Sequence, residues 1–208
     1  MYLDYFKKIL RINLVYYGIP FSGKSTTISM VLERTSPGSC QPVSFYGLDT
    51  ERGIFGECIP KASKALPFQV LLTLLTIPGY SGYVYDKAHK MLLSKADGIL
   101  FVADSQKGRI EQNDAYFGVM HRRVRELHGQ SLLEFPLAVQ WNKVDTESSV
   151  SIQKSKIHSQ ISESYIFETS AVQGKGILEA LNFCLSQVCK KANLVDLVVQ
   201  PRGSDVAN

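Results

Sequence analysis

The chain has 208 residues, 45% hydrophobic and 20% charged, with a formal net charge of +4. That composition gives one domain of ordinary size with a single sizeable core, and argues against wholesale disorder. The mild positive charge is too weak by itself to imply nucleic acid, and no apolar run approaches the 18 residues of a membrane span.

Five apolar, β-branched or aromatic runs stand out in chain order: Ile12–Gly18, Gln69–Ile77, Gly98–Ser105, Leu137–Lys143 and Tyr165–Ala171. Each is nearly continuous and ends in polar or glycine-containing residues, as strands covered on both faces do. Helical patterns follow them: Lys24–Arg34, then "YVYDKAHKMLLSKA", then "EQNDAYFGVMHRRVRELHG" closing on a glycine, a weaker "SVSIQKSKIHSQI", and "GILEALNFCLSQVCKKA" closing on lysines. This alternation predicts an α/β fold, a mostly parallel central sheet of about six strands flanked by helices on both faces.

Between the first helix and the second run lies a stretch rich in Gly, Pro, Ser and Cys. It reads as a long connection with a strand at Val43–Tyr46. The tail after residue 192 is expected to fray beyond Pro201. The reading is a single domain over 1–192 with a short tail over 193–208. Cys40, Cys58, Cys184 and Cys189 form no C-x-x-C pair and read as free thiols in a reducing compartment. No secretory signal is visible, Tyr2 excludes N-myristoylation, and "SDVAN" carries no prenylation cysteine. The expectation is a cytoplasmic protein without an integral membrane segment or lipid anchor.

"GIPFSGKST" fits G-x-x-x-x-G-K-[ST] through Gly18, Gly23, Lys24 and Ser25, with Ser22 inside the loop and Thr26 after it. Glycines let such a loop curl so that successive N–H groups aim at a phosphate, and the following helix adds its positive end. Lys24 would bridge the β- and γ-phosphates, and the Ser25 hydroxyl would ligate Mg²⁺. "WNKVD" supplies Asn142, Lys143 and Asp145. A carboxylate there can accept two hydrogen bonds from guanine, whereas adenine would leave it unpaired. The Lys143 stem can cover the base, and Asn142 can tie this loop to the phosphate loop. "ETSA" offers the Ala171 N–H for the guanine oxygen, with Ser170 bracing the turn. All three motifs fall at C-terminal strand ends, the edge at which parallel sheets bind ligands.

These residues resemble the Ras-like small GTPases, of the P-loop NTPase class. "VYYGIPFSGKSTT", "DTERGIFGECIP", "TIPGYSGYVYDKAHKMLL", "ADGILFVADSQ" and "VQWNKVD" resemble most closely the bacterial MglA-type gliding-motility GTPases, over about Asn13 to Lys191. Thr76, where most small GTPases carry an aspartate, fits that subfamily. The resemblance implies a GTP/GDP switch with Mg²⁺ that controls cell polarity or surface motility. It also implies recruitment to a cell pole, effectors, and a roadblock-type (MglB-like) activating partner.

By the same resemblance Arg52 matches an internal arginine finger; the Gly79 N–H remains as a further group for phosphoryl transfer. Two positions depart from the family. Gly53 replaces a threonine, leaving Thr50 as the nearest hydroxyl for the metal. Tyr80 replaces the glutamine that orients the attacking water. The catalytic set is thus Arg52, Tyr80 and Lys24, and the metal set Ser25 and Thr50. Arg52 as a solvated loop arginine and Tyr80 as a packing or partner-anchoring aromatic stand beside those roles, and "HRRVRE" reads as a solvated helix face rather than a docking patch. A GTP-bound scaffold with little turnover stands beside the enzyme. An ATP-using P-loop kinase would leave "NKVD" and "ETSA" without a purpose.

Overall fold

The computed structural model describes residues 1–35, 38–46, 52–76 and 83–202. Its strands are β1 (Tyr2–Asp4), β2 (Ile9–Tyr17), β3 (Cys40–Tyr46), β4 (Arg52–Cys58), β5 (Lys61–Ala62), β6 (Gln69–Thr76), β7 (Gly98–Asp104), β8 (Leu137–Asn142), β9 (Ile166–Thr169) and β10 (Leu197–Val198). The helices are α1 (Lys24–Arg34), α2 (Tyr83–Ser94), α3 (Ile110–His128) and α4 (Ile177–Lys191).

Eight strands form the main sheet, in the order β3-β4-β6-β2-β7-β8-β9 with β1 added beside β2. β2, β6, β7, β8 and β9 run parallel, while β4 is antiparallel to both β3 and β6. The mostly parallel α/β architecture is the expected one, with eight strands rather than about six. β2 carries β6 on one flank and β7 on the other, which places a topological switch point at its C-terminal end.

The pleat of β2 divides the core. Leu14 and Tyr16 face α1 and α4 beside Ile28, Val31, Leu181 and Leu185. Val15 and Tyr17 face α2 and α3 beside Leu93, Phe117 and Met120. All seven residues of β7 are buried, as the continuous apolar run requires. Phe101 and Phe117 meet edge to face, 5.0 Å between centroids. α3 ends at Gly129, whose left-handed φ of 64° and N–H to Arg125 O close the last turn.

Four expectations are corrected. The long connection is largely an ordered hairpin, β3 against β4, followed by β5, which pairs with β10 near the end of the described chain. Cys40 and Cys58, directly opposite in that hairpin, form a disulfide; Cys184 and Cys189 are the free, buried thiols. The serine-rich stretch after β8 makes no α-helix, only a short 3₁₀ turn at Ile152–Lys154. There the Ser151 and Ser155 hydroxyls accept from the backbone N–H groups of Gln153 (3.4 Å) and Ile157 (3.1 Å). Local bonds of this kind compete with helical ones. Lastly, "HRRVRE" is not wholly solvated. Arg123 turns inward, donating to Tyr17 Oη at 2.9 Å and to the Asp86 carboxylate of α2.

Candidate functional site

At the C-terminal end of β2 the chain turns through Gly18–Gly23 into α1. Gly18 has φ 154°, and a Cβ there would lie 2.2 Å from Val102 O. Gly23 has φ 101°, and a Cβ would lie 2.3 Å from Asn142 Nδ2. Both positions therefore demand glycine, for backbone conformation and for space. Phe21, also at positive φ (62°), points its ring to solvent.

Lys24 reaches back over this loop. Its Nζ donates to Gly18 O (3.0 Å) and Ile19 O (2.7 Å), and the side chain is buried. Burial disfavours the ammonium and lowers its pKa from the usual lysine range to about 8. A desolvated cation held, among the described residues, by two neutral carbonyls is a strong site for an anion. No acidic residue lies in the first turn of α1 to oppose that field. Ser25 and Thr26 are exposed in the same turn, while the Ser22 hydroxyl is buried with no partner among the described residues. The loop thus fits phosphate oxygens, and the Ser25 hydroxyl fits Mg²⁺, which is usually held by one or two protein oxygens together with phosphate and water.

Asn142, buried at the end of β8, joins three segments. Its Nδ2 donates to Ser22 O at 2.8 Å in the phosphate loop. Its Oδ1 accepts from Thr169 Oγ1 (3.2 Å) and from Ala171 N (3.0 Å). The Ala171 N–H is therefore engaged within the protein. Ser170 is buried, exchanges backbone bonds with Lys175, and accepts from Gln173 N through its hydroxyl. Lys143 sits at φ 68° and donates to Asp104 Oδ2 at 2.7 Å. Asp145 is exposed on the same loop.

Three contributors were not singled out in the sequence. Asp104, buried at the end of β7, anchors Lys143 and lies 3.8 Å from Arg109 Nε. Arg109 also donates to Pro20 O (2.7 Å), bracing the phosphate loop from the side. Asn113 of α3 holds both backbone polar groups of Asp104. The signal for Asp104 was present, a carboxylate closing an otherwise apolar strand; nothing local marks Arg109 or Asn113.

Gly18, Ser22, Gly23, Lys24, Ser25, Thr26, Asn142, Lys143, Asp145, Ser170 and Ala171 thus line one edge, at the ends of β2, β8 and β9. Thr76 ends β6 on the same edge, buried and donating to Tyr16 O at 3.1 Å. Arg52 opens β4 opposite Tyr46, with its side chain outside the described part. Thr50, Gly79 and Tyr80 lie outside the described residues.

No family model matches the chain. The mutual gliding-motility protein MglA of Myxococcus xanthus (strain DK1622) is 27% identical over 184 residues, covering 86% of this chain and 91% of MglA. No helix among the described residues is long and apolar enough to cross a membrane. The chain is thus similar to MglA over most of its length, and its switch-point edge carries a G-x-x-x-x-G-K-S loop, an N-K-x-D turn and an E-T-S-A turn.

Proposed function

We propose that this chain is a guanine-nucleotide switch that binds GTP and GDP with Mg²⁺ and hydrolyses GTP slowly. The observation that supports this most is the Asn142 amide, which locks the phosphate loop to the base-side turn in one rigid unit. Two loops that share a brace can hold the two ends of one ligand.

In this reading Lys24 gives up its carbonyls for the β- and γ-phosphates, and Ser25 ligates the metal, joined by Thr50. Ser22, Gly23, Thr26 and the Gly18 turn supply the remaining phosphate contacts. Asp145 reads the guanine edge. Lys143, held by Asp104, lies along the base, and the Ala171 N–H is shared between Asn142 and the guanine oxygen. The Gly79 N–H meets the γ-phosphate, Arg52 supplies charge to the transition state, and Tyr80 stands in for the water-orienting amide. An arginine in that role contributes about 10³–10⁵ in rate, so turnover depends heavily on how Arg52 is placed.

The biological output is control of polarity or surface motility, by analogy with MglA's gliding role, through effectors and a roadblock-type activating partner at a cell pole. Residues 1–192 would form the switch domain and 193–208 its tail. A second reading, a GTP-loaded scaffold, is favoured by Tyr80 and Gly53.

The decisive measurement is nucleotide binding by purified protein in magnesium, followed by single-turnover hydrolysis with and without the roadblock-type partner. Binding of GTP and GDP but not ATP is expected, and no measurable guanine-nucleotide affinity overturns the reading. Asp145→Asn is expected to move preference toward xanthine nucleotides. Arg52→Ala is expected to abolish turnover while binding persists; hydrolysis at the parent rate removes Arg52 from the mechanism. Turnover absent in every condition favours the scaffold.

A further inference from the structure

The strongest feature outside the nucleotide edge is the turn joining β1 to β2. β1 pairs antiparallel with β2, Asp4 opposite Ile9, so residues 5–8 form the tip of a hairpin. The Asp4 carboxylate caps it, accepting from Phe6 N (3.1 Å) and Lys7 N (3.0 Å). Lys8 takes a left-handed φ of 51°, and its carbonyl accepts from Gln69 N at 2.8 Å. The tip is thus rigid, yet it holds its apolar groups in water. Phe6 is fully exposed and Tyr5 80% exposed.

Two adjacent aromatics held in water on one rigid turn point to an interaction. The cations decide its kind. Lys7 and Lys8 are exposed and form no ion pair among the described residues. Of the nearby carboxylates, Asp97 is paired with the N-terminal ammonium of Met1, and Asp4 lies inside the turn, so the two lysines leave the tip with a net positive charge.

We infer that this hairpin tip docks on an anionic lipid surface, with Phe6 and Tyr5 entering the headgroup boundary and Lys7 and Lys8 meeting the lipid charge. A narrow convex tip offers a protein partner too little area for a stable interface. It suits a bilayer, where one aromatic enters the boundary and lysines gain from the surface potential. Such a contact is weak and reversible, since firm anchoring takes two signals. β2 has nine residues, so at the usual strand rise the tip lies about 26 Å from the phosphate loop. Docking there leaves the nucleotide edge facing solvent, and it does not depend on what that edge binds.

The test is flotation of the full chain with vesicles of pure phosphatidylcholine or of equimolar phosphatidylcholine and phosphatidylglycerol. Binding is expected only to the anionic vesicles, weakening as salt screens it. Tyr5→Ser with Phe6→Ser, and separately Lys7→Glu with Lys8→Asn (asparagine tolerates the left-handed position), should each lower binding by about tenfold or more. Unchanged thermal melting establishes that these variants fold. Phe6→Trp should show an emission blue-shift with anionic vesicles alone, against the buried Trp141 background. No binding to anionic vesicles, or binding that the tip substitutions leave intact, overturns the proposal. Loss of a protein partner from the tip variants without any vesicle binding overturns it as well and reassigns the tip to protein docking.

Discussion

The two halves of the sheet are built differently. From β2 through β7 and β8 to β9 every strand is parallel, and β7 and β8 are buried along their whole length. On the other side, β3 and β4 form an antiparallel margin held by the Cys40–Cys58 bridge and, through β5, by the pairing with β10. The half that holds the nucleotide-edge residues is braced by packing and by Asn142. The margin, where Arg52 begins β4, is braced by a covalent link and, through β5, by β10. On the proposed function, recognition and turnover would rest on structurally separate supports.

The largest expected effect falls on the buried half. Phe117→Ala should cost about 3–5 kcal/mol in stability, read as a lowered denaturation midpoint, because it opens a cavity beside Phe101. An unchanged midpoint would mean that this face is not the core. Next comes Asn142→Ala, which removes three bonds and orphans Ser22 O and Ala171 N. Stability should fall by about 2–4 kcal/mol and GDP affinity by at least about a hundredfold. If affinity survives, the two loops are positioned independently.

Removing the bridge with Cys40→Ser and Cys58→Ser should cost about 2–3 kcal/mol, measured with and without reductant. GDP affinity should stay within about threefold, because the Ser22–Asn142–Ala171 brace stands apart from the margin. A larger loss would dissolve the contrast between the halves.

The smallest effect is a pH dependence. Lys24 has a lowered pKa of about 8, and a bound phosphate would raise it again. GDP affinity should therefore hold below pH 8 and fall above it, by at most about tenfold per unit. The unliganded fold responds with the opposite sign. The penalty of burying the charged amine is present below pH 8 and is relieved as pH rises toward the unfolded lysine value. Proton uptake on binding at pH 9, seen calorimetrically in buffers of different ionisation enthalpy, checks both. Lys24→Met should abolish the uptake.

The buried half was legible because a strand covered on both faces must be apolar at nearly every position. Gln69, Gly98 and Leu137 were placed at strand starts, and Lys24–Arg34 was delimited as observed. Of the margin only the strand at Val43–Tyr46, within β3, was legible; β4 was not, because Gly, Pro, Ser and Cys carry loop propensity and pairing with β3 and β6 is what organises it. The residues after β8 failed for the converse reason, an apolar period undone by serines bonding their own backbone. At the nucleotide edge, motif residues could be named from spacing alone. Asp104, Arg109 and Asn113 brace it from elements whose proximity only the fold reveals.

The pairing of β5 with β10 also has a consequence for biogenesis. Ala62 meets Leu197, so a segment made early waits for one that follows 135 residues later. Until that later segment has left the ribosome, the hairpin margin lacks this clasp. Removing residues 197–198 should leave that side of the domain selectively open to proteases.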